Sequence, residues 1–320
     1  MKLEDVKKIA VLGSGTMGHG IAQRYAMGGY EVSVYDIADA ALENAKVMVE
    51  TNLATFIEEG YMSAEEANAA AKRIHYTTDL GDAVRDAQFV QESVPERPEI
   101  KKNIYEKLDE ILPMEGVIIA SNASTLNPFI LVPERRLPMF TTAHWFAPPH
   151  IIPLVEVARG EQTTEVVMEI VMGILKKCGK TPVRMEKYVP GYIINRFQVL
   201  LNTEVFYLLD NGVCTPEMLD MAVKASLMPR GMVLGLVQRY DFTGLDISAN
   251  NILNGSYVMP ETSKRPAILF DHVDKGELGV KTGKGFFDYS GRETKEVLKK
   301  RDKMLIKVLK ATEDMINQQI

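Results

Sequence analysis

The chain has 320 residues, of which 46% are apolar and 25% charged, with a formal net charge of −6. That is roughly twice an ordinary domain length at an ordinary composition, so two domains are expected and a disordered or fibrous chain is excluded. The acidic excess argues against a nucleic-acid partner, and the charged start MKLEDVKKIAVLG, with no long uncharged run after it, points to a cytoplasmic protein with no membrane partner.

In chain order, KKIAVLG reads as a β-branched strand, MGHGIAQRYAMGG as a helix ended by glycines, and YEVSVYDI as a second strand, together one βαβ unit. Residues 39–74 read as helical, with Ser63 and Glu66 in capping-box spacing at SAEEANAAAKRI. AQFVQESV, GVIIASNAS and MFTTAHWF read as strands, separated by the amphipathic helix PEIKKNIYEKLDEIL. Strands alternating with helices imply a doubly wound α/β domain whose mainly parallel sheet is covered on both faces.

Between Glu186 and Pro190 the texture changes, and RFQVLLNTEVFYLLDNG, TPEMLDMAVKASLM and TKEVLKKRDKMLIKVLKATEDMINQQI all read as helices. An all-α domain is therefore expected, with domains at 1–187 and 188–320. The loop GELGVKTGKGFFDYSG looks like a phosphate loop, but its glycines are too close and no Ser or Thr follows Lys284, so a packed turn is expected. Cys178 and Cys214 fit no CxxC or metal-ligand spacing and read as reduced packing residues; no metal is expected.

Gly13-Ser14-Gly15-Thr16-Met17-Gly18 fits GxGxxG after a strand and at the mouth of a helix. There Gly13 permits a tight turn, Gly15 lets a pyrophosphate approach the backbone, and Gly18 lets helix and strand pack closely. Asp36 ends the second strand, eighteen residues past Gly18, where a carboxylate accepts from a ribose 2′-hydroxyl and repels the extra phosphate of NADP. The expected cofactor is NAD.

A second question comes from TTAHWFAPPHIIPLVEV, where Glu156 sits in an apolar run twelve positions after His144. A carboxylate whose neighbours leave water is costly unless a partner compensates it.

The ordered motifs IAVLGSGTMGHGIAQ, ESVPERPEIKKNIYEKLD, ASNASTL, HWFAPP, LVEV, GYIINRF, FTGLD and GVKTGKGFFDY give the chain a likeness along nearly its whole length. It resembles the L-3-hydroxyacyl-CoA dehydrogenase family. The resemblance implies a Rossmann domain, then a helical domain that usually forms a homodimer. It implies that His144 takes the proton of a 3-hydroxyl as hydride leaves for NAD, and that Glu156 orients and stabilises the imidazole. It also places Glu96, Lys101 and Asn122 beside the cofactor, Ser124 near nicotinamide and substrate, and Asn195 near the reacting oxygen.

Three departures bear on substrate. Ala147 stands where the family has asparagine, and Glu58 and Glu59 occupy a stretch in which acyl-CoA members place lysines. Arg230 lies where branches acting on free hydroxy acids often carry an arginine, and a guanidinium pairs with a carboxylate that a thioester lacks. The expected reaction is NAD-linked interconversion of an (S)-3-hydroxy acyl group and its 3-keto form, on a short free acid or a short acyl-CoA. The alternative is a non-catalytic, crystallin-like NAD-binding protein. A 6-phosphogluconate or 3-hydroxyisobutyrate dehydrogenase would rely on a lysine in place of the His and Glu pair.

Overall fold

A computed structural model of the chain describes residues 1–320 apart from 256–259, 262, 317, 319 and 320. The chain divides into two compact units, Met1–Ile193 and Ile194–Ile320.

In the first unit β1 (Lys8–Leu12) leads into α1 (Gly18–Met27) and β2 (Glu31–Tyr35). Then come α2 (Asp39–Glu58), α3 (Ala64–Lys72), β3 (Ile74–Thr77), α4 (Leu80–Val84) and β4 (Phe89–Glu92). The unit continues with α5 (Pro98–Ile111), β5 (Ile118–Ser121), β6 (Phe140–Thr142), β7 (His144–Trp145), β8 (Leu154–Ala158), α6 (Glu165–Lys177) and β9 (Thr181–Met185). Ser63 and Glu66 do form a reciprocal capping box at α3, and Pro98 occupies the first turn of α5, where its missing N–H costs nothing.

Six strands form one parallel sheet in the order β3-β2-β1-β4-β5-β6. The order reverses between β1 and β4, which leaves a crevice outside their carboxyl ends, the usual ligand position in such sheets. Side chains alternate faces along each strand. Ile9, Val11, Val34 and Ile118 join α1 and α6 in one core, while Ala10, Leu12, Val90 and Ile119 join α5 in another. Each such side chain contributes about 1.5–3 kcal/mol on burial. Because both faces are covered, the strands read as unbroken apolar runs, which is what made them legible.

Two expectations need correction. The helical reading of residues 39–74 breaks at residues 59–63, and its last residue, Ile74, opens the edge strand β3. That strand, IHYT, is half-exposed and so lacks an apolar run. MFTTAHWF is two strands: β6 stays in the parallel sheet, while β7 leaves it to pair antiparallel with β8, forming a second sheet in the order β7-β8-β9. The Thr141 hydroxyl, bonded to the Ala158 carbonyl at 2.9 Å, marks where the two sheets meet.

The second unit is helical. Helix α7 (Ile194–Asp210) is followed by α8 (Pro216–Ala222), a π-helical stretch (Val223–Leu227) and α9 (Met228–Leu234), then by α10 (Gln238–Thr243), α11 (Leu245–Asn254), α12 (Ala267–Asp274) and α13 (Thr294–Ile316). The helix expected to run to residue 320 is described to Ile316; residues 317, 319 and 320 lie outside the described part. The glycine-rich loop is a turn closed by bridges from Lys284 to Gly279 and Asp288. Among the described residues of this unit only Pro266, Asp302 and Ile306 are buried.

No helix among the described residues is long and apolar enough to cross a membrane. Both cysteines are unpaired, and burial pushes the Cys178 thiol up to about 12, so it stays a packing group.

Arg136 shows how irregular segments are held. Only 2% exposed, it donates to Asp109 Oδ1 at 2.7 Å and to the Leu112 and Pro113 carbonyls at 2.6 and 2.5 Å, closing the end of α5. Arg136→Ala leaves Asp109 paired with Arg135 but strands the Leu112 and Pro113 carbonyls, and is expected to lower unfolding free energy by about 2 kcal/mol, measured by chemical denaturation.

Candidate active site

The glycine turn joins β1 to α1. Gly13 sits at φ +92°, and a Cβ on it would lie 2.5 Å from the Ser93 carbonyl oxygen, so no other residue fits. A Cβ on Gly18 would meet the Gly13 carbonyl at 1.7 Å, whereas one on Gly15 would meet nothing within 4 Å. The fold itself therefore demands the first and last glycines, while Gly15 presents bare backbone to open space. Thr16 is exposed and Met17 half-buried at the helix entrance. Met17 is the N-cap of α1 and makes no side-chain capping bond, so amides of the first turn are left for an anion.

Asp36 follows β2, and its Oδ2 accepts from the Ser14 amide and hydroxyl, both at 2.8 Å. Serine thus anchors one carboxylate oxygen and leaves the other for a ligand hydroxyl. These groups suit the pyrophosphate and ribose of a dinucleotide.

A hydrogen-bonded ladder carries this geometry across the sheet. The amide of Gly13 donates to Tyr35 O (2.8 Å), Ser93 to Leu12 O (2.7 Å), Asn122 to Glu92 O (2.8 Å) and Ala143 to Ser121 O (2.8 Å). Asn122 extends it with its side chain, donating to Ser93 Oγ at 3.1 Å and accepting the Trp145 amide at 2.8 Å.

Beneath the ladder lies a buried polar network of which the sequence reading named Glu96 and Lys101 but not Glu92, Tyr105 or Ser121. Glu92 is fully buried and accepts from Val94 N and Lys101 Nζ on one oxygen, and from Tyr105 OH and Ser121 Oγ on the other. Lys101, 1% exposed, pairs with Glu92 at 2.7 Å and Glu96 at 3.3 Å. Glu96 Oε1 in turn accepts the successive amides of Ser124, Thr125 and Leu126 at 2.8, 2.8 and 3.0 Å. Burial opposes its ionisation most strongly, yet the Leu126 and Thr125 amides, the Lys101 charge and the Ser124 amide together hold its carboxyl below the usual range. The loop bearing Ser124 is thus wrapped around one carboxylate. The only available signal was a charged residue ending an otherwise apolar strand.

His144 and Glu156 are register partners on β7 and β8. His144 Nδ1 lies 3.0 Å from Glu156 Oε2, with the side chains 4% and 0% exposed. A carboxylate at Nδ1 favours the tautomer protonated there, which leaves Nε2 as the acceptor nitrogen. Tyr192 stacks on the imidazole at 4.5 Å and 19°, and its hydroxyl donates to Ala123 O at 2.7 Å. Tyr192 has φ +50°, a left-handed conformation that costs about 1–2 kcal/mol in a non-glycine residue. The turn delivers the next amide, Ile193 N, to Glu156 Oε1 at 3.0 Å.

Asn195 and Arg230 belong to the second unit, in α7 and α9; Arg230 is exposed and donates to Ser226 O and Oγ at 3.2 and 3.0 Å. Trp145 is a core residue, 2% exposed, with its indole N–H on Gln91 at 3.3 Å. His150, in the loop that follows, is buried beside Asn52.

The family models "3-hydroxyacyl-CoA dehydrogenase, NAD binding domain" and "3-hydroxyacyl-CoA dehydrogenase, C-terminal domain" match residues 8–188 and 191–289. A 5-formyl-3-hydroxy-2-methylpyridine 4-carboxylate 5-dehydrogenase of Mesorhizobium japonicum is 34% identical, over 96% of this chain and 99% of the relative. A probable 3-hydroxybutyryl-CoA dehydrogenase of Bacillus subtilis is 33% identical, over 89% and 98%. Among solved structures, a 5-formyl-3-hydroxy-2-methylpyridine 4-carboxylic acid 5-dehydrogenase described as an NAD+-dependent dismutase superposes with a TM-score of 0.84 at 31% identity, covering 96% of this chain and 99% of that one.

Hydrogen bonds to a charged carboxylate contribute about 1.5–3 kcal/mol each, so Glu96→Ala is expected to speed exchange of the Ser124, Thr125 and Leu126 amides by about tenfold or more. In the wild type, with the carboxyl held low, the same protection is present above the ordinary carboxylate range and lost only as pH falls through the lowered value. Hydrogen–deuterium exchange of a peptide spanning 122–127 reads both.

Proposed function

The chain belongs to the 3-hydroxyacyl-CoA dehydrogenase family and is an NAD-dependent oxidoreductase acting on a CH–OH group, and on that premise we propose that it interconverts a 3-hydroxy and a 3-keto compound of small size that carries a free carboxylate. The observation that carries the reading is the His144–Glu156 pair at 3.0 Å, tied to the glycine turn through the ladder of backbone bonds.

Bound NAD supplies the hydride acceptor. The protein's part is the proton: His144 Nε2 takes it from the hydroxyl as the C–H hydride leaves the same carbon, so the alcohol loses two electrons and two hydrogens and becomes a ketone. Glu156 carries the negative charge that stabilises the resulting imidazolium at Nδ1, and the Ile193 amide keeps that carboxylate aimed. In reduction His144 returns the proton. Gly13, Gly15, Thr16, Met17, Gly18 and Asp36 hold the cofactor. The resemblance assigns Glu96, Lys101 and Asn122 to the cofactor, Ser124 to nicotinamide and substrate, and Asn195 to the reacting oxygen.

Arg230 is the proposed carboxylate anchor. The relative from Mesorhizobium japonicum is named for a pyridine carboxylate, and in this chain Ala147, Glu58 and Glu59 weaken the case for a CoA handle. A short 3-hydroxyacyl-CoA is the second reading, favoured by the Bacillus subtilis relative's name. The relatives are named as dehydrogenases, which gives no support to a non-catalytic role. A cytoplasmic location belongs to the same reading, supported by the two unpaired cysteines.

We also propose a homodimer built through the second unit. With three buried residues among those described, and with Phe197, Leu200, Val237, Ile252 and Leu253 between 44% and 82% exposed, that unit has apolar surface that a partner would cover. Light scattering is expected to give twice the 35.7 kDa chain mass; a monomer would sink the proposal.

His144→Ala is expected to lower kcat by about 10²- to 10⁴-fold while NAD affinity stays within a few fold. In a panel of free 3-keto acids and matching CoA thioesters followed by NADH absorbance, the free acids are expected to turn over faster. Arg230→Ala should raise their KM by about tenfold, the loss of one charge-assisted pair. Efficient turnover of thioesters alone, indifferent to Arg230, would reverse the substrate assignment.

A further inference from the structure

We propose that Lys180 is a positioning residue for the His144–Glu156 pair, holding the segment that joins their strands through the carbonyl oxygens of Pro149 and Ile152. The inference rests on the assignment of His144 as the proton acceptor.

The two partners sit on strands joined by residues 146–153, a segment with no strand pairing of its own. Its internal bonds run from the Ile151 and Ile152 amides to one acceptor, the Pro148 carbonyl. Lys180 reaches it from the turn between α6 and β9, next to β8 through the register Leu154↔Thr181. Its Nζ donates to Pro149 O at 2.5 Å and to Ile152 O at 2.7 Å, and lies 4.9 Å from the centre of the Trp145 ring, the residue after His144. One amine therefore touches the middle of the link, its far end and the strand before it.

Two bland readings fail. Lys180 is 6% exposed, so it is no solubilising surface lysine. No acid pairs with it among the described residues, so it is not half of a structural ion pair. Burial, then repulsion from Arg24, lowers its affinity for a proton, with the nearby Cys178 opposing. An apolar side chain would avoid that cost, so what the amine contributes is two donors aimed at two carbonyls.

The clamp is itself anchored to the cofactor helix. Arg24, on α1, donates to Cys178 O at 2.6 Å and Gly179 O at 3.1 Å, fixing the turn that carries Lys180. On the same helix, a Cβ on Gly20 would come within 2.8 Å of Pro149 Cγ, so α1 lies directly against the link. The helix that opens at the glycine turn and the lysine grip the same eight residues.

Lys180→Met keeps the length and removes the donors. It is expected to lower kcat about tenfold through misplacement of the imidazole, to leave KM for NAD within twofold, and to shift the pH profile of kcat/KM as Glu156 loses its hold on His144. Lys180→Gln, which restores N–H donors, should recover part of kcat. A folded Lys180→Met with kcat within twofold of wild type and an unchanged pH profile would overturn the proposal, whatever its melting temperature. If Lys180→Met does not fold, the same two readings on Lys180→Leu, which also lacks the donors, decide in the same way. His144→Ala run alongside separates the cases: turnover that survives it defeats the assignment of His144, while turnover lost there but untouched at Lys180 defeats only the present inference.

Discussion

A carboxylate sealed from water inside an apolar strand must be compensated, and the structure around the proposed active site is organised by that constraint. Glu156 has no exposed surface, and its two oxygens are met by an imidazole nitrogen and a backbone amide, each at 3.0 Å. Each partner has a structural origin. The imidazole comes from β7, which leaves the parallel sheet to face β8, and the amide comes from a turn that forces Tyr192 into a left-handed conformation. The same tyrosine covers the imidazole, so one strained residue serves both partners.

A second buried acid follows the same rule a few strands away. Glu92 is neutralised by Lys101, and Lys101 shares its charge with Glu96, which gathers three successive amides of the Ser124 loop. Between the two acids runs the ladder of backbone bonds at the carboxyl edge of the sheet, with Asn122 bonded on both sides. Low dielectric makes each member of such a network strong when satisfied and costly when not, which favours a rigid site. Rigidity matters for proton transfer because misplacement by about 1 Å lowers rates by orders of magnitude.

The two units contrast in how they are stabilised. The first carries cores on both faces of its sheet, whereas the second exposes most of its apolar side chains. A helical unit with so little buried surface is difficult to stabilise alone, because the entropy of ordering its backbone needs apolar burial to offset it. The proposed homodimer would supply that burial.

Much of the first unit was legible because its information is local. Unbroken apolar runs mark the buried strands, and the spacing of Gly13, Gly15 and Gly18 reports a turn whose sterics involve near neighbours, as does the Ser63–Glu66 box. Edge strand β3 was not legible, since a half-exposed strand has no unbroken apolar run, and neither was the break between β6 and β7, where the residues stay apolar while their hydrogen-bond partners change. The sequence could state that Glu156 needs a partner. The family motifs named His144 as that partner, but only the folded chain set the two in register, laid Tyr192 on the ring and turned Glu92, Lys101 and Lys180 inward, because strand register and the burial of a charge are set by residues far apart in the chain.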